Sequence, residues 1–492
     1  MNSNLNPQRT SFLFTLLFVV TFLGSSLFLP EGFRLALSQG TAFTLEYFGG
    51  FYLVLGLGAV LVMVITALSP IGKIRLGVGP PEYSLLSWIA MLYSTGMGAG
   101  LLLRAVQEPV YYFANPPRST YLEPADFALQ YTFFHWGLTP WAFYGLFGLI
   151  MATRLYNHKG NLLVSNLLPS GLKKPALAAI VDFLVTVGTL LGVVAAVGLG
   201  SRQLLISVST WAGMEHLADN GGYLLVVMVG ILATISAILG VKTGIRLLSN
   251  ANIGMATILL LMTWLMGSEI GVIGTFFWVL GGYLWEFIPM SLNWGEAKVS
   301  EGFLTDWTYF YWAFWLAWAP FTGIFIARIS KGRTIRQFVA GTLVIPAMGT
   351  FLWFTVFGSN AFALIDNETL YASELSSIYN ALFRLFHVFP LGWLGNGISL
   401  ILIFTFLITS VDSAIFVLSM FSDHGKLEPQ KRYRLFWGIS IVLVTLAVML
   451  IGKDQLLESV SQLLILIAFP VSLLFLGFVS CWLYGLLYNR NM

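Results

Sequence analysis

The 492 residues are 57% hydrophobic and only 10% charged, with a mean hydropathy of +0.82. A soluble domain is about one-quarter charged, so this composition excludes a soluble globule and puts the chain in a bilayer. A net charge of +3 gives no basic field that would draw nucleic acid, and the single Cys481 excludes a disulfide framework.

In lipid every backbone polar group must be satisfied within the protein, which leaves helices or a closed barrel. The apolar runs are far longer than the roughly ten-residue alternating segments of a barrel. The expected fold class is therefore an all-α polytopic membrane protein. Twelve transmembrane spans follow in order, near 11–30, 48–70, 84–113, 127–153, 176–207, 222–240, 245–270, 306–328, 334–358, 391–422, 431–452 and 458–488. The stretch from Ser11 to Pro30 lacks a small-residue cleavage site and has no basic start beyond Arg9, so it reads as a retained first helix. Between the seventh and eighth spans, Gly274–Trp294 is apolar but interrupted by Gly281, Gly282, Glu286 and Pro289, the pattern of an interfacial amphipathic helix.

Twelve spans leave both termini on one side. Eighteen of the 25 basic residues fall on that side, and five (Arg34, Arg118, Lys298, Arg384 and Lys453) on the other, with Arg104 and Arg202 inside spans. The positive-inside rule then places both termini in the cytoplasm of a multi-pass protein of the cell's inner (plasma) membrane, with lipid as its surroundings. Basic loops recur after the fourth, sixth, eighth and tenth spans. That spacing divides the chain into residues 1–83 (tail and two peripheral helices), 84–270 (a five-helix unit), 271–305 (the interfacial connector) and 306–488 (a second five-helix unit). Five is odd, so the second unit is inverted relative to the first, an architecture that transporters use with the site between the halves.

The third span holds Gly96, Met97, Gly98, Ala99 and Gly100 in the run YSTGMGAGLLLRAVQEP. Alternating glycines weaken a helix; the same pattern serves either close helix packing or a broken helix that offers free backbone groups. In the fourth span, TFFHWGLTPWAFYGLFG, Trp136, Trp141 and Tyr144 fall within one arc of about 140° on a helical wheel. His135 and Pro140 read as residues that shape the helix. The eighth span opens DWTYFYWAFWLAW, where Trp312, Trp315 and Trp318 recur at i, i+3, i+6; this predicts three indoles along one face, widened by Tyr311 and Phe314. Tryptophan prefers the headgroup interface, so a mid-depth indole stripe predicts a partner other than lipid. Two opposed aromatic walls would form a cage for a quaternary ammonium, whose methylated nitrogen has no N–H to donate. In the tenth span, Thr409, Ser410, Asp412 and Ser413 offer hard oxygens for sodium or hydrogen bonds within the bundle. Asp182 and Asp412 are intramembrane carboxylates, open to functional and structural roles alike.

Taken together, GMGAG…EP, FFHWGLTPWAFY, GTLLGVVAAVGLG, GIRLLSNANI, WTYFYWAFWLAWAPFTGIFIARISKGRTIRQFV and TSVDS resemble the betaine/choline/carnitine transporter family, from about the second span to the twelfth. The resemblance implies two inverted five-helix repeats of the broken-helix, LeuT-like symporter fold, a homotrimer, and uptake of trimethylammonium compounds as small-molecule substrates. Matched motif by motif, it implies an aromatic box of Trp136, Trp141, Tyr144 and Trp315, with Trp318 on the exit path. Backbone amides around Met97, Gly98 and Ala99 would meet the substrate's carboxylate. A sodium site would use the carbonyls of Ser94, Met97 and Phe406 and the hydroxyls of Thr409 and Ser410.

Three departures from the family pattern stand out. Phe314 replaces a customary Trp, which alters the box or its exit. Val193 lacks the hydroxyl of a second sodium site with Thr189 and Phe321, so one site is better supported than two. Arg104 replaces an aromatic; its i, i+4 spacing to Glu108 predicts a salt bridge, and the sharper alternative is that Arg104 lines the pathway and favours substrates with a strong anionic end. The expected function is sodium symport of betaine, choline, carnitine or a sulfonium analogue, with a cation-independent exchanger of the same fold as the alternative. No His-rich metal spacing or activated Ser motif appears, which argues against an intramembrane enzyme.

Overall fold

The computed structural model describes residues 6–488 apart from 120–121, 159, 213–220, 268, 270 and 453–455. Lys159, Lys453 and Arg490, which entered the charge count, lie outside the described residues. The chain is helical throughout: α1 (Pro7–Phe28), α2 (Pro30–Leu68), α3 (Leu85–Gly96), α4 (Gly100–Arg104), α5 (Gln107–Ala114), α6 (Pro124–Trp136) and α7 (Leu138–Asn157). Next come α8 (Pro175–Ala212), α9 (Gly221–Leu239), α10 (Arg246–Met266) and α11 (Val272–Leu292). After a short α12 (Glu301–Phe303) and a wide π turn, α13 runs Phe310–Ile329. A second π turn joins α14 (Ile335–Val339) to α15 (Ile345–Asp366), and α16 (Ala381–His387), α17 (Gly392–Ser422), α18 (Lys431–Gly452) and α19 (Leu456–Tyr488) complete the chain.

Among the described residues, eleven single helices are long and apolar enough to cross a membrane, and the bent α3–α5 pair makes a twelfth. That set differs from the expected one in two places. It includes α11, read from the sequence as an interfacial connector, because its glycines and Pro289 do not interrupt the helix. It omits α6 and α7, the expected fourth span, because the chain breaks at Gly137 and each half alone is too short or too rich in buried aromatic and polar residues.

The two units pack as mirror partners. α8 lies against α17 and α9 against α18; α9–α17 is matched by α8–α18, α10–α17 by α8–α19, and α3–α10 by α13–α19. Matching helices run antiparallel. Trp88 at the start of α3 donates from Nε1 to Ser330 Oγ just past the end of α13 (3.0 Å), while Tyr112 near the end of α5 packs on Trp307 before α13 starts (4.9 Å). Likewise Gly222 and Gly230 of α9 face Met449 and Val442 of α18 in reverse order. These contacts show the second unit inverted relative to the first.

The core sits along α13. In the most apolar 18-residue stretch of its span, Glu301–Ile329, 94% of the residues are buried, against 28% in that of α1, so protein surrounds the indole-rich helix on every side. Lipid does not meet those rings. At the far end of α17, burial pushes the Asp423 carboxyl up, but Lys426 Nζ and the Gln430 amide, each at 2.9 Å, hold it below the usual carboxylate value. The two intramembrane carboxylates have structural partners: Asp182 accepts from Ser165 N (2.8 Å) and Oγ (2.7 Å), and Asp412 from Ser236 Oγ (2.5 Å).

Candidate substrate site

The glycine run breaks its helix. α3 ends at Gly96, Gly98 takes a φ of +50°, and α4–α5 continue at 65° to α3. Helical bonding resumes only where Leu102 and Leu103 donate to Ala99 O (both 3.1 Å), so the amides just before them start a new helix without carbonyls behind them. Each glycine also makes room for one element of the site. A Cβ on Gly96 would lie 2.8 Å from the Trp141 ring, on Gly98 2.8 Å from Ser410 Oγ, and on Gly100 3.4 Å from the Trp136 ring. Close packing and helix breaking, alternatives in the sequence, are both present. Gly96→Ala should therefore tilt the Trp141 indole and reduce uptake at least tenfold with surface expression unchanged, as measured by labelled-substrate uptake against quantitative blotting.

The aromatic walls meet. Trp315 packs edge-on against Trp136 (5.2 Å between centroids, 70°) and against Tyr144 (6.2 Å, 89°), and Tyr144 packs on Trp141 (5.8 Å). Trp315 Nε1 donates to His135 O at the end of α6 (3.0 Å), which locks its ring. Trp318 is held the same way, by a bond from Nε1 to Gly192 O (3.0 Å) on α8. Two buried polar atoms in the box, Trp141 Nε1 and Tyr144 Oη, have no hydrogen-bond partner, and neither does Ser94 Oγ.

Two sequence expectations need correction. Trp312 does not share the face of Trp315 and Trp318; it packs on Phe134 (5.0 Å) and lies where a Cβ on Gly56 of α2 would touch it. The stacked pairs on α13 are i, i+4: Tyr311 with Trp315 (5.8 Å, 16°) and Phe314 with Trp318 (5.6 Å, 18°). Each i+3 step lags the 3.6-residue turn by about 60°, so two steps carry Trp312 a third of the way round. Nor does Arg104 bridge Glu108. Arg104 Nη1 donates to Gln107 Oε1 (2.6 Å) and its guanidinium sits over Trp307 (5.3 Å), because both oxygens of Glu108 are engaged elsewhere. Trp136 Nε1 (2.9 Å), Tyr112 Oη (3.2 Å) and Tyr311 Oη all donate to them. His135 is a packing residue, bonded to Tyr112 Oη (2.8 Å) and Thr308 Oγ1 (3.0 Å).

A cavity opens beside the box between α3–α4, α8, α13 and α17. It is lined by Gly96, Met97, Ala99 and Gly100, by Trp136, Phe314, Trp315 and Trp318, and by Ser410, Arg104, Gln203 and Tyr311. Trp141 and Tyr144 lie behind Gly96 and not in this lining; Tyr144 packs on Trp315, and Trp141 on Tyr144. Thr409 Oγ1 donates to Phe406 O (3.0 Å) and accepts from Asn252 Nδ2 on α10 (3.2 Å). Asn252, Gln203 and the Glu108 hub were not identified as site residues from the sequence. An amide or a carboxylate inside an apolar span was the available signal.

The family comparison decides what this geometry belongs to. Residues 10–489 match the model described as betaine/carnitine/choline family transporter. The chain belongs to that family. Among relatives of this transporter, the glycine betaine transporter OpuD of Bacillus subtilis is 36% identical over 461 residues, covering 92% of this chain and 89% of the relative. Glycine betaine transporter 1 of Vibrio parahaemolyticus is 35% identical, covering 86% and 83%; the ectoine/hydroxyectoine transporter of Virgibacillus pantothenticus is 33% identical, covering 90% of both. A family transporter is a membrane carrier of small solutes and not an enzyme.

Proposed function

We propose that this transporter imports a betaine, choline, carnitine or sulfonium analogue by sodium symport, with alternating access across the cell's inner membrane. The observation that carries the reading is the apposition of Trp315 with Trp136 and Tyr144, 5.2 and 6.2 Å away. Such a wall attracts an onium head through ring quadrupoles and excludes the water that would otherwise solvate it. The substrate's carboxylate would face the backbone amides around Met97, Gly98 and Ala99, at the start of α4. The relative named for ectoine widens the candidates to that type of solute as well.

Sodium, when bound, would supply a hard positive charge joining the broken helix to α17. The carbonyls of Ser94, Met97 and Phe406 and the hydroxyls of Thr409 and Ser410 would hold it. The residues fit: a Cβ on Gly98 would lie 2.8 Å from Ser410 Oγ and 3.8 Å from Ser94 O, so both elements bring oxygen to the break. A second site has less support, since Thr189 Oγ1 is bonded back to Val185 O (2.8 Å) and Val193 has no hydroxyl. In this reading residues 84–270 and 306–488 rock against each other, 1–83 and 271–305 are peripheral, both termini are cytoplasmic, and three copies assemble.

The test is labelled glycine betaine uptake into proteoliposomes with external sodium or potassium. Uptake should fall to background in potassium, and Ser410→Ala should raise the sodium concentration for half-maximal rate about tenfold, the loss of one ligand worth about 1.4 kcal/mol. Uptake equal in both salts, with preloaded substrate accelerating it, would favour the cation-independent exchanger.

A further inference from the structure

We propose that Arg104 is the anion-binding end of the substrate site, and that it selects zwitterions whose anionic group stands three or more bonds from the onium centre. This rests on the reading of the aromatic chamber as the onium site. Arg104 is only 8% exposed and lines the same cavity as Trp136 and Trp315. A buried cation is costly unless an anion meets it. The adjacent Glu108 is near enough to interact with Arg104 through its charge but offers it no hydrogen bond, because its oxygens accept from Trp136, Tyr112 and Tyr311. One guanidinium N–H is spent on the neutral Gln107 Oε1 (2.6 Å), and its face rests on Trp307 (5.3 Å). The fork that remains suits the two oxygens of a carboxylate or sulfonate. Gln203, 1% exposed, lines the same cavity and has a buried Oε1 with no partner; a turn of that carboxamide would present its N–H donors to the same anion.

Spacing gives the substrate class. A Cβ on Gly100 would lie 3.4 Å from the Trp136 ring, so the chamber meets α4 at that level. Arg104 is one turn further along, a rise of about 6 Å, and its guanidinium continues towards Gln107 and Trp307 and not back towards Gly100. The single carbon between the charges of glycine betaine is too short for both contacts. A propionate or propanesulfonate chain on a trimethylammonium or dimethylsulfonium head reaches both. The same fixed charge disfavours a bare cation such as choline.

The experiment is isothermal titration of the full-length protein in lipid nanodiscs with choline, glycine betaine and 3-(trimethylammonio)propane-1-sulfonate. Wild type should bind the propanesulfonate at least tenfold more tightly than choline. In Arg104→Gln that ratio should fall at least tenfold, and in Arg104→Lys, which keeps the charge but not the fork, by less. A ratio unchanged within twofold in Arg104→Gln would overturn the proposal. Should that variant fail to fold, a wild type that binds the propanesulfonate no better than choline overturns it too. In either case binding of choline and glycine betaine leaves the onium chamber standing; a wild type that binds none of the three sinks both readings.

Discussion

Trp315→Leu should weaken glycine betaine binding about 30-fold in isothermal titration, with the thermal midpoint of the purified protein shifted only modestly. The ring is the junction of the chamber: it packs on Trp136, on Tyr144, flat on Tyr311 and edge-on to Phe314 (4.8 Å). Leucine keeps the position apolar but removes the quadrupole. A desolvated cation–π contact is worth about 2 kcal/mol, which corresponds to the 30-fold loss. Trp315→Phe separates ring from anchor. Phenylalanine restores a π face but cannot donate to His135 O as Trp315 does at 3.0 Å, so its loss should be smaller, within about tenfold. Equal losses for Leu and Phe would show that the indole N–H positions the site and that the ring face does not hold the ligand.

How much of this was legible beforehand depends on the range of the interaction concerned. Most of the helices and the membrane setting follow from hydropathy, a property that each segment carries alone; the break at Gly137 and the unbroken α11 did not show in it. The aromatic walls were legible only in part: Trp141 and Tyr144 share α7, but Trp136 ends α6 across the break at Gly137 and lines the cavity without them, which a continuous helical wheel does not show. The indoles of α13 were misaligned because i, i+3, i+6 spacing drifts round the helix, and Trp312 found Phe134 and Gly56 of α2 instead. Arg104 and Glu108 show a second limit. Their spacing predicts an intrahelical bridge, yet the chain loosens at Ala105 and Val106, and donors from α5, α6 and α13 reach the carboxylate first. No local pattern announces a competitor two hundred residues away. The glycines are the converse case: their number hinted at a break, but only the fold shows that positions 96, 98 and 100 each accommodate a different site residue.

That competition makes Glu108→Ala the most damaging single change expected in the bundle. Glu108 is fully buried, and its carboxylate collects Trp136 Nε1, Tyr112 Oη and Tyr311 Oη, with His135 Nδ1 at 3.6 Å. Alanine leaves Trp136 Nε1 and Tyr311 Oη without their acceptor, each costing about 1–3 kcal/mol, while Tyr112 Oη keeps His135 Nδ1. The expected destabilisation is about 3–5 kcal/mol, the scale for removing one partner of a buried charged network. It should appear as loss of monodisperse protein on size exclusion and as early unfolding in differential scanning fluorimetry. Glu108→Gln keeps the shape and should cost less, because its N–H₂ can take the Oε1 position, where Tyr112 Oη turns to accept and donates to His135 Nδ1, leaving the amide oxygen for Trp136 and Tyr311. Adding Tyr311→Phe then removes one of the two donors to that oxygen, and it should cost less in the Glu108→Gln background than in wild type, because a neutral acceptor bonds more weakly than a carboxylate. Additive losses in that cycle would mean that Tyr311 stabilises the bundle through its ring contacts and not through its hydroxyl on Glu108. The carboxylate would then orient Trp136 alone, and the chamber wall would depend on a single bond of 2.9 Å.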